Sequence, residues 1–160
     1  MVQNNSIKKT LVIFGAGKIG RSFIGQLFGC GGYQVVFIDV DQNMIDRLNA
    51  FGSYRVIVKG EFETEILVPH VRAISALYRE QLASAIAEAS LLAVSVGKNV
   101  LEKVIPSIAE GLLLRYKKYP DLPLDLIIAE NMRMAGNFIR EKLEEHLPAN
   151  YPLDRLVGLV

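Results

Sequence analysis

Three glycines and an aspartate within the first forty residues have the types and the spacing to bind a phosphate-containing ligand. Gly15, Gly17 and Gly20 form a G-x-G-x-x-G run, and Asp39 lies about 20 positions beyond it. Such glycines let a strand turn sharply into a helix and let the backbone approach a pyrophosphate, which binds at the N–H groups of the helix start. The pattern predicts a dinucleotide site.

The sequence around the glycines meets every condition of that pattern. The apolar run 11–14 predicts a strand before them, and residues 18–30 predict a helix after them. The run 35–38 predicts a second strand that ends at Asp39. We therefore predict cofactor contacts from Gly15, Ala16, Gly17, Lys18, Ile19, Gly20 and Asp39. Arg21 and Lys18 either assist phosphate binding or are solvated, and solvation is favoured for Lys18.

The acid at position 39 favours NAD over NADP. Its carboxylate can accept hydrogen bonds from the adenosine ribose hydroxyls, and it would repel a 2′-phosphate. Val40 and Asp41 follow, so no arginine stands directly after it to receive such a phosphate. Because FAD and S-adenosylmethionine binders use similar first turns, they remain alternatives, as does a glycine turn that binds no nucleotide.

Two further predicted strand ends carry residues suited to the reacting part of a dinucleotide. Val96 and Gly97 end one strand, where the backbone could pass close to the nicotinamide ribose. Asn131 ends another and could polarise a reacting oxygen, which makes it the catalytic candidate. Val96, Gly97 and Asn131 are therefore also predicted to contact the cofactor. All are also ordinary loop residues. Glu130 is equally consistent with a carboxylate at the start of the last helix.

The elements that must position these residues alternate between strand and helix. Further strands are predicted at 91–96, 124–129 and 156–160, and further helices after Asp41 and at 79–89, 100–116 and 135–146. Residues 53–71 predict an antiparallel excursion. The fold class is therefore α/β, a Rossmann-type doubly wound and mainly parallel sheet. The first helix is expected to bury one apolar face, formed by Ile19, Phe23, Ile24, Leu27 and Phe28.

Composition bounds the remaining possibilities. A chain of 160 residues fits one domain, 1–160, and a net charge of +1 argues against nucleic acid as a partner. No run is long enough to span a membrane, and the polar first ten residues carry no secretory signal, so we expect a cytoplasmic protein.

The single cysteine, Cys30, is expected to be buried, and with only His70 and His146 no metal site is predicted. Both histidines are expected at the surface, which leaves no evident general base.

A longer run around the glycines carries a family resemblance. Residues 14–25 (FGAGKIGRSFIG), 37–41 (FIDVD), Ser53-Tyr54, Val96-Gly97, 129–132 (AENM) and Val157-Gly158 resemble the opening of the polyol-specific long-chain dehydrogenases, and within that family its mannitol-1-phosphate 5-dehydrogenases. Position 18 departs from the pattern, since that family often has asparagine there.

The resemblance implies a metal-free, NAD-dependent oxidation of mannitol 1-phosphate to fructose 6-phosphate, or its reverse. It places Asn131 among the groups that polarise the reacting oxygen. It also implies that the catalytic lysine, with its companion asparagine and histidine, belongs to a C-terminal helical domain absent from this chain, so the chain alone is expected to bind NAD(H) without turnover. A stand-alone NAD-sensing or regulatory domain, and a related polyol or hexuronate dehydrogenase, are the alternatives.

Overall fold

The structure, a computed structural model, describes residues 9–160; the polar segment 1–8 lies outside the described residues. Its strands are β1 (Thr10–Phe14), β2 (Gln34–Asp39), β3 (Ser53–Lys59), β4 (Glu63–Pro69), β5 (Val71–Ser75), β6 (Leu91–Val94), β7 (Leu124–Ile128) and β8 (Val157–Leu159). A π-helical turn, Gly20–Gly25, runs into α1 (Gln26–Cys30), and together they form the first helix. The other helices are α2 (Gln42–Phe51), α3 (Arg79–Glu88), α4 (Lys98–Lys118), α5 (Ala135–His146) and α6 (Leu153–Leu156).

Six strands form one parallel sheet in the order β5-β2-β1-β6-β7-β8. The chain winds outwards from β1 in one direction and then, from β6, in the other, which is the doubly wound order of dinucleotide-binding folds. The predicted fold class is confirmed. The switch point between β1 and β6 leaves a crevice at the carboxyl ends of these strands, directly after Phe14 and Val94. No helix in the described part of the chain is long and apolar enough to cross a membrane.

Helix α2 begins after Asp41, as the sequence predicts, and its two ends are formed by local contacts. The Asp41 carboxylate accepts a hydrogen bond from the Met44 N–H at 3.1 Å and so caps the helix. Gly52 ends it in the left-handed conformation, with φ of 61°. Ile45 and Leu48 are buried against the sheet, so one face of the helix anchors the strand end that carries Asp39.

The antiparallel excursion is confirmed as a separate two-stranded sheet, in which β3 pairs with β4 from Ser53–Pro69 to Lys59–Glu63. The prediction ended the excursion at Val71 and missed the strand that starts there. Val71 begins β5, which pairs parallel with β2 at the edge of the main sheet. His70 makes the corner between the two sheets, with a positive φ of 60°.

The predicted buried face of the first helix is correct at two positions and wrong at three. Ile24 is buried and Phe28 packs against the core, but Ile19, Phe23 and Leu27 are 55%, 61% and 55% exposed. Three glycines, Gly20, Gly25 and Gly29, lie on the inner side of the helix instead, because the helix is too close to its neighbours for side chains there. A Cβ on Gly25 would lie 2.7 Å from Phe37 Cζ, and one on Gly29 would lie 2.5 Å from Val68 Cγ1. Gly20 lies against the Gly15 carbonyl. Cys30, at the end of this helix, is exposed and not buried as expected.

The C-terminal part of the sheet differs from the prediction in two details. Strand β6 ends at Val94, so Ser95, Val96 and Gly97 form a loop into α4. Leu156 belongs to the short helix α6, and the last strand begins only at Val157. The long helix α4 continues through Pro106, and it packs on α3 with Gly111 against the buried side chain of Ile86.

Gly111 therefore provides a test of how closely α3 and α4 pack. Gly111→Ala places a methyl group on Ile86, so we expect unfolding to become easier by about 1–3 kcal/mol in spite of alanine's higher helix propensity. Gly136→Ala is the matched control in α5, where the new Cβ lies 3.8 Å from Ile128 Cδ1, and its effect should lie between neutral and about 1 kcal/mol stabilising. Denaturant unfolding of both variants checks this; equal effects would contradict the packing.

Candidate functional site

The glycine turn is built against the ends of two neighbouring strands. The Gly15 N–H donates to the Ile38 carbonyl at 2.8 Å, and Gly15 has a φ of +97°. A Cβ on Gly15 would collide with the Ser95 carbonyl, and one on Gly20 with the Gly15 carbonyl. Two of the three predicted glycines are therefore required by the packing of the turn itself.

Gly17 differs, because no packing contact within residues 9–160 requires a glycine there. A Cβ at this position would have no neighbour among these residues within 4 Å, and Gly17 is exposed. The Arg21 N–H donates to the Gly17 carbonyl at 3.0 Å, the first backbone hydrogen bond of the helix. The N–H groups of Lys18 and Ile19 precede that bond and have no acceptor one turn back. This open helix start fits a pyrophosphate, whose oxygens accept such N–H groups.

Asp39, at the end of β2, stabilises the turn by accepting backbone hydrogen bonds, and we call such a contact between a carboxylate and a neighbouring loop a brace. Its Oδ2 accepts the Ala16 N–H at 2.7 Å, and its Oδ1 accepts those of Val40 at 2.7 Å and Asp41 at 3.0 Å. A carboxylate has about four acceptor positions, so about one remains for a ribose hydroxyl. The predicted contact of Asp39 with ribose stays a prediction, and the structure adds a second role that the sequence did not reveal.

Glu130 makes the equivalent brace on the other side of β1. Its Oε1 accepts the Val96 N–H at 2.7 Å, and its Oε2 accepts the Gly97 N–H at 3.0 Å. The alternative that placed it at the start of the last helix is wrong, since α5 begins only at Ala135 and the carboxylate lies at the start of α4. Sequence reasoning missed this contact because it joins residues 34 positions apart.

The helix starts that follow the neighbouring strands β2, β1 and β6 differ in their contacts with carboxylates. Asp39 and Asp41 accept N–H groups at the start of α2, and Glu130 accepts the Gly97 N–H directly before α4. Among the described residues, no carboxylate accepts the N–H of Gly17, Lys18 or Ile19 at the start of the helix after β1. Carboxylates at a helix start cancel the positive end of its dipole. An anion is thus favoured at the central helix start and disfavoured on either side of it.

Tyr54 ties the hairpin to the first helix. Its hydroxyl donates to the Arg21 carbonyl at 2.6 Å, and its ring packs on Phe37 with centroids 5.8 Å apart. Burial raises the pKa of Tyr54 far above its usual value, although the positive charge of Arg21 opposes the rise. Arg21 is half-buried, and its Nε lies out of reach of solvent without a hydrogen-bond partner among the described residues.

The predicted site residues lie together at the carboxyl ends of the parallel strands. Gly97 is exposed with φ of +83°, Val96 is half-buried, and Asn131 is exposed immediately after the Glu130 brace. Lys18 and Ile19 are exposed at the helix start. The roles assigned to these residues remain predictions. His70 and His146 are exposed, as expected, and lie at the opposite end of the sheet, before β5 and at the end of α5.

The sheet order, the glycine turn and the braced acid at the end of β2 define the chain as a Rossmann-fold domain of the dinucleotide-binding type. Similarity to known proteins gives its family: a model described as the mannitol dehydrogenase Rossmann domain matches residues 9–153. The chain belongs to this family, which confirms the resemblance drawn from its sequence.

Individual relatives are longer than this chain. It is 37% identical over 153 residues to a mannitol-1-phosphate 5-dehydrogenase of Oceanobacillus iheyensis; the match covers 94% of this chain and 39% of that protein. Among solved structures, it resembles the mannitol 2-dehydrogenase of Pseudomonas fluorescens in ternary complex with NAD and D-mannitol, with a TM-score of 0.75, 11% identity and coverage of 94% and 40% of the two chains. A UDP-glucose dehydrogenase of Pyrobaculum islandicum follows with a TM-score of 0.63, 14% identity and coverage of 99% and 36%.

The brace by Asp39 can be tested without any ligand. Asp39→Ala leaves the Ala16 N–H without its acceptor, so we expect a loss of about 1–3 kcal/mol of stability and faster exchange of the Ala16 amide. Asp41→Ala removes only the cap of α2 and should cost about 1 kcal/mol while the Ala16 amide exchanges as before. Amide exchange measured by NMR distinguishes the two; unchanged exchange in Asp39→Ala would rule out the brace.

Proposed function

We propose that this chain is the NAD(H)-binding domain of a dehydrogenase that interconverts mannitol 1-phosphate and fructose 6-phosphate. The observation that carries the cofactor part is the open helix start at Gly17 between two helix starts occupied by carboxylates. A dinucleotide has the matching order of charge, with an anionic pyrophosphate between an adenosine ribose and a nicotinamide. The substrate part is supported by the 37% identity to a mannitol-1-phosphate 5-dehydrogenase.

Each predicted residue has a defined task in this proposal. The N–H groups at Gly17, Lys18 and Ile19 hold the pyrophosphate, while Gly15, Ala16 and Gly20 shape the turn. Asp39 accepts one ribose hydroxyl at Oδ2 and repels the 2′-phosphate of NADP. Val96 and Gly97 border the nicotinamide ribose. Lys18, exposed beside the turn, adds positive charge near the pyrophosphate.

The bound cofactor supplies a hydride acceptor or donor at its nicotinamide. In the oxidative direction a hydride leaves the alcohol carbon, the hydroxyl proton passes to a base, and a carbonyl forms. The Asn131 amide donates to the reacting oxygen. The chain spans 39% of the relative's length, so we place the base and most substrate contacts in the C-terminal part of the longer protein. The isolated chain should bind cofactor without turning over substrate.

Calorimetric titration with NADH and NADPH tests the proposal. We expect NADH to bind and NADPH to bind about tenfold more weakly or worse, because the 2′-phosphate meets the Asp39 carboxylate. Gly17→Val should abolish NADH binding while the chain stays folded, since its side chain fills only the open space before the helix.

Gly60→Val provides the matched control. Gly60 lies in the β3–β4 turn, where a Cβ also meets nothing closer than 3.8 Å, and this variant should bind NADH as the unmodified chain does. Equal NADH affinity in Gly17→Val and Gly60→Val would refute the assignment of the pyrophosphate to this helix start. Tighter binding of NADPH than of NADH would refute the role of Asp39.

A further inference from the structure

Glu130 is the one strand-end carboxylate of the described site that no part of the proposed reaction uses. It lies two residues after β7 and reaches across to the loop after β6, where it accepts the N–H groups of both Val96 and Gly97. These contacts consume the two backbone donors of the segment predicted to border the nicotinamide ribose. The loop therefore offers no free N–H to an anion at these two positions.

The contacts also hold a negative charge in a fixed place. Two backbone donors orient the carboxylate, and charge-assisted hydrogen bonds of this kind are stronger than neutral ones. Lys98 and Arg133 lie nearby along the chain, but both side chains are exposed and neither forms an ion pair with Glu130 among the described residues. The carboxylate is half-buried, so solvent screens it less than these exposed cations.

From this placement we infer that Glu130 is a positioning residue that favours the oxidised form of the cofactor. The inference rests on the proposed function, which brings the nicotinamide to the carboxyl ends of β6 and β7. The nicotinamide ring is cationic in NAD⁺ and neutral in NADH, while the rest of the molecule is the same. A fixed negative charge beside the ring therefore stabilises NAD⁺ relative to NADH.

The test compares the affinities of NAD⁺, NADH and ADP-ribose for the chain and for Glu130→Gln. Glutamine keeps the size of the side chain and one acceptor for the Val96 N–H, but it removes the charge. We expect the ratio of NAD⁺ affinity to NADH affinity to fall by about three- to tenfold. ADP-ribose lacks the nicotinamide, so its affinity should change by less than about twofold.

Two variants control for simple structural damage. Glu130→Asp keeps the charge on a shorter side chain, so both affinities should fall while their ratio stays near that of the unmodified chain. Glu88→Gln removes a carboxylate that accepts from Lys118 and Tyr119 at the far end of the sheet, and it should leave the ratio and all three affinities unchanged.

Two results with Glu130→Gln would overturn the inference. The first is an equal fall of NAD⁺ and NADH affinity. The second is a loss of ADP-ribose affinity as large as the loss of NAD⁺ affinity. If Glu130→Gln does not fold, the unmodified chain decides: raising the ionic strength must lower NAD⁺ affinity relative to NADH, and a constant ratio refutes the inference. Failure of the proposed function looks different, since the unmodified chain would then bind none of the three ligands.

Discussion

The hydrogen bonds from backbone N–H groups to the Asp39 and Glu130 carboxylates determine the shape of the whole candidate site. Each carboxylate lies at or just after the end of one strand and binds the loop that follows the neighbouring strand. Asp39, at the end of β2, binds Ala16 after β1. Glu130, just after β7, binds Val96 and Gly97 after β6. Loops at the carboxyl edge of a parallel sheet have no ladder partners, so their donors need other acceptors. Because the same groups provide charge and geometry, removing either carboxylate changes both.

The candidate site also depends on the first helix lying very close to the sheet. Gly20 and Gly25 lie where side chains would collide with the Gly15 carbonyl and with Phe37, and the π-helical turn presents the Arg21 carbonyl to the Tyr54 hydroxyl. π-helical turns are frequent at functional sites, where they change the direction of backbone groups. The hairpin β3–β4 is thereby linked to the helix that follows the glycine turn. The same packing leaves Ile19 and Phe23 facing solvent.

The features that depend on neighbouring residues were predictable from the sequence, and those that depend on distant ones were not. The parallel strands, the Asp41 cap and the glycine turn each follow from a short local pattern, and the structure has all of them. The buried face of the first helix was mispredicted because apolar periodicity ignores how closely glycines let a helix approach. Strand β5 was missed because it is short and follows β4 after a single corner residue, His70, so no turn signal separates the two strands in the sequence. The Glu130 brace joins elements that no local pattern connects.

The distribution of charge along the sheet edge explains why one ligand orientation should be preferred. From β2 through β1 to the β6–β7 side, the edge presents a carboxylate, an uncapped helix start and a second carboxylate. An anion is favoured at the middle position, because the Asp41 and Met44 N–H groups on one side and the Val96 and Gly97 N–H groups on the other are already bound to carboxylates. Hydroxyl donors suit the first end, and a neutral or cationic group suits the other. In the orientation that we propose, the adenosine ribose lies at Asp39, whose one remaining acceptor position suits a hydroxyl donor, and the nicotinamide lies on the side of Glu130.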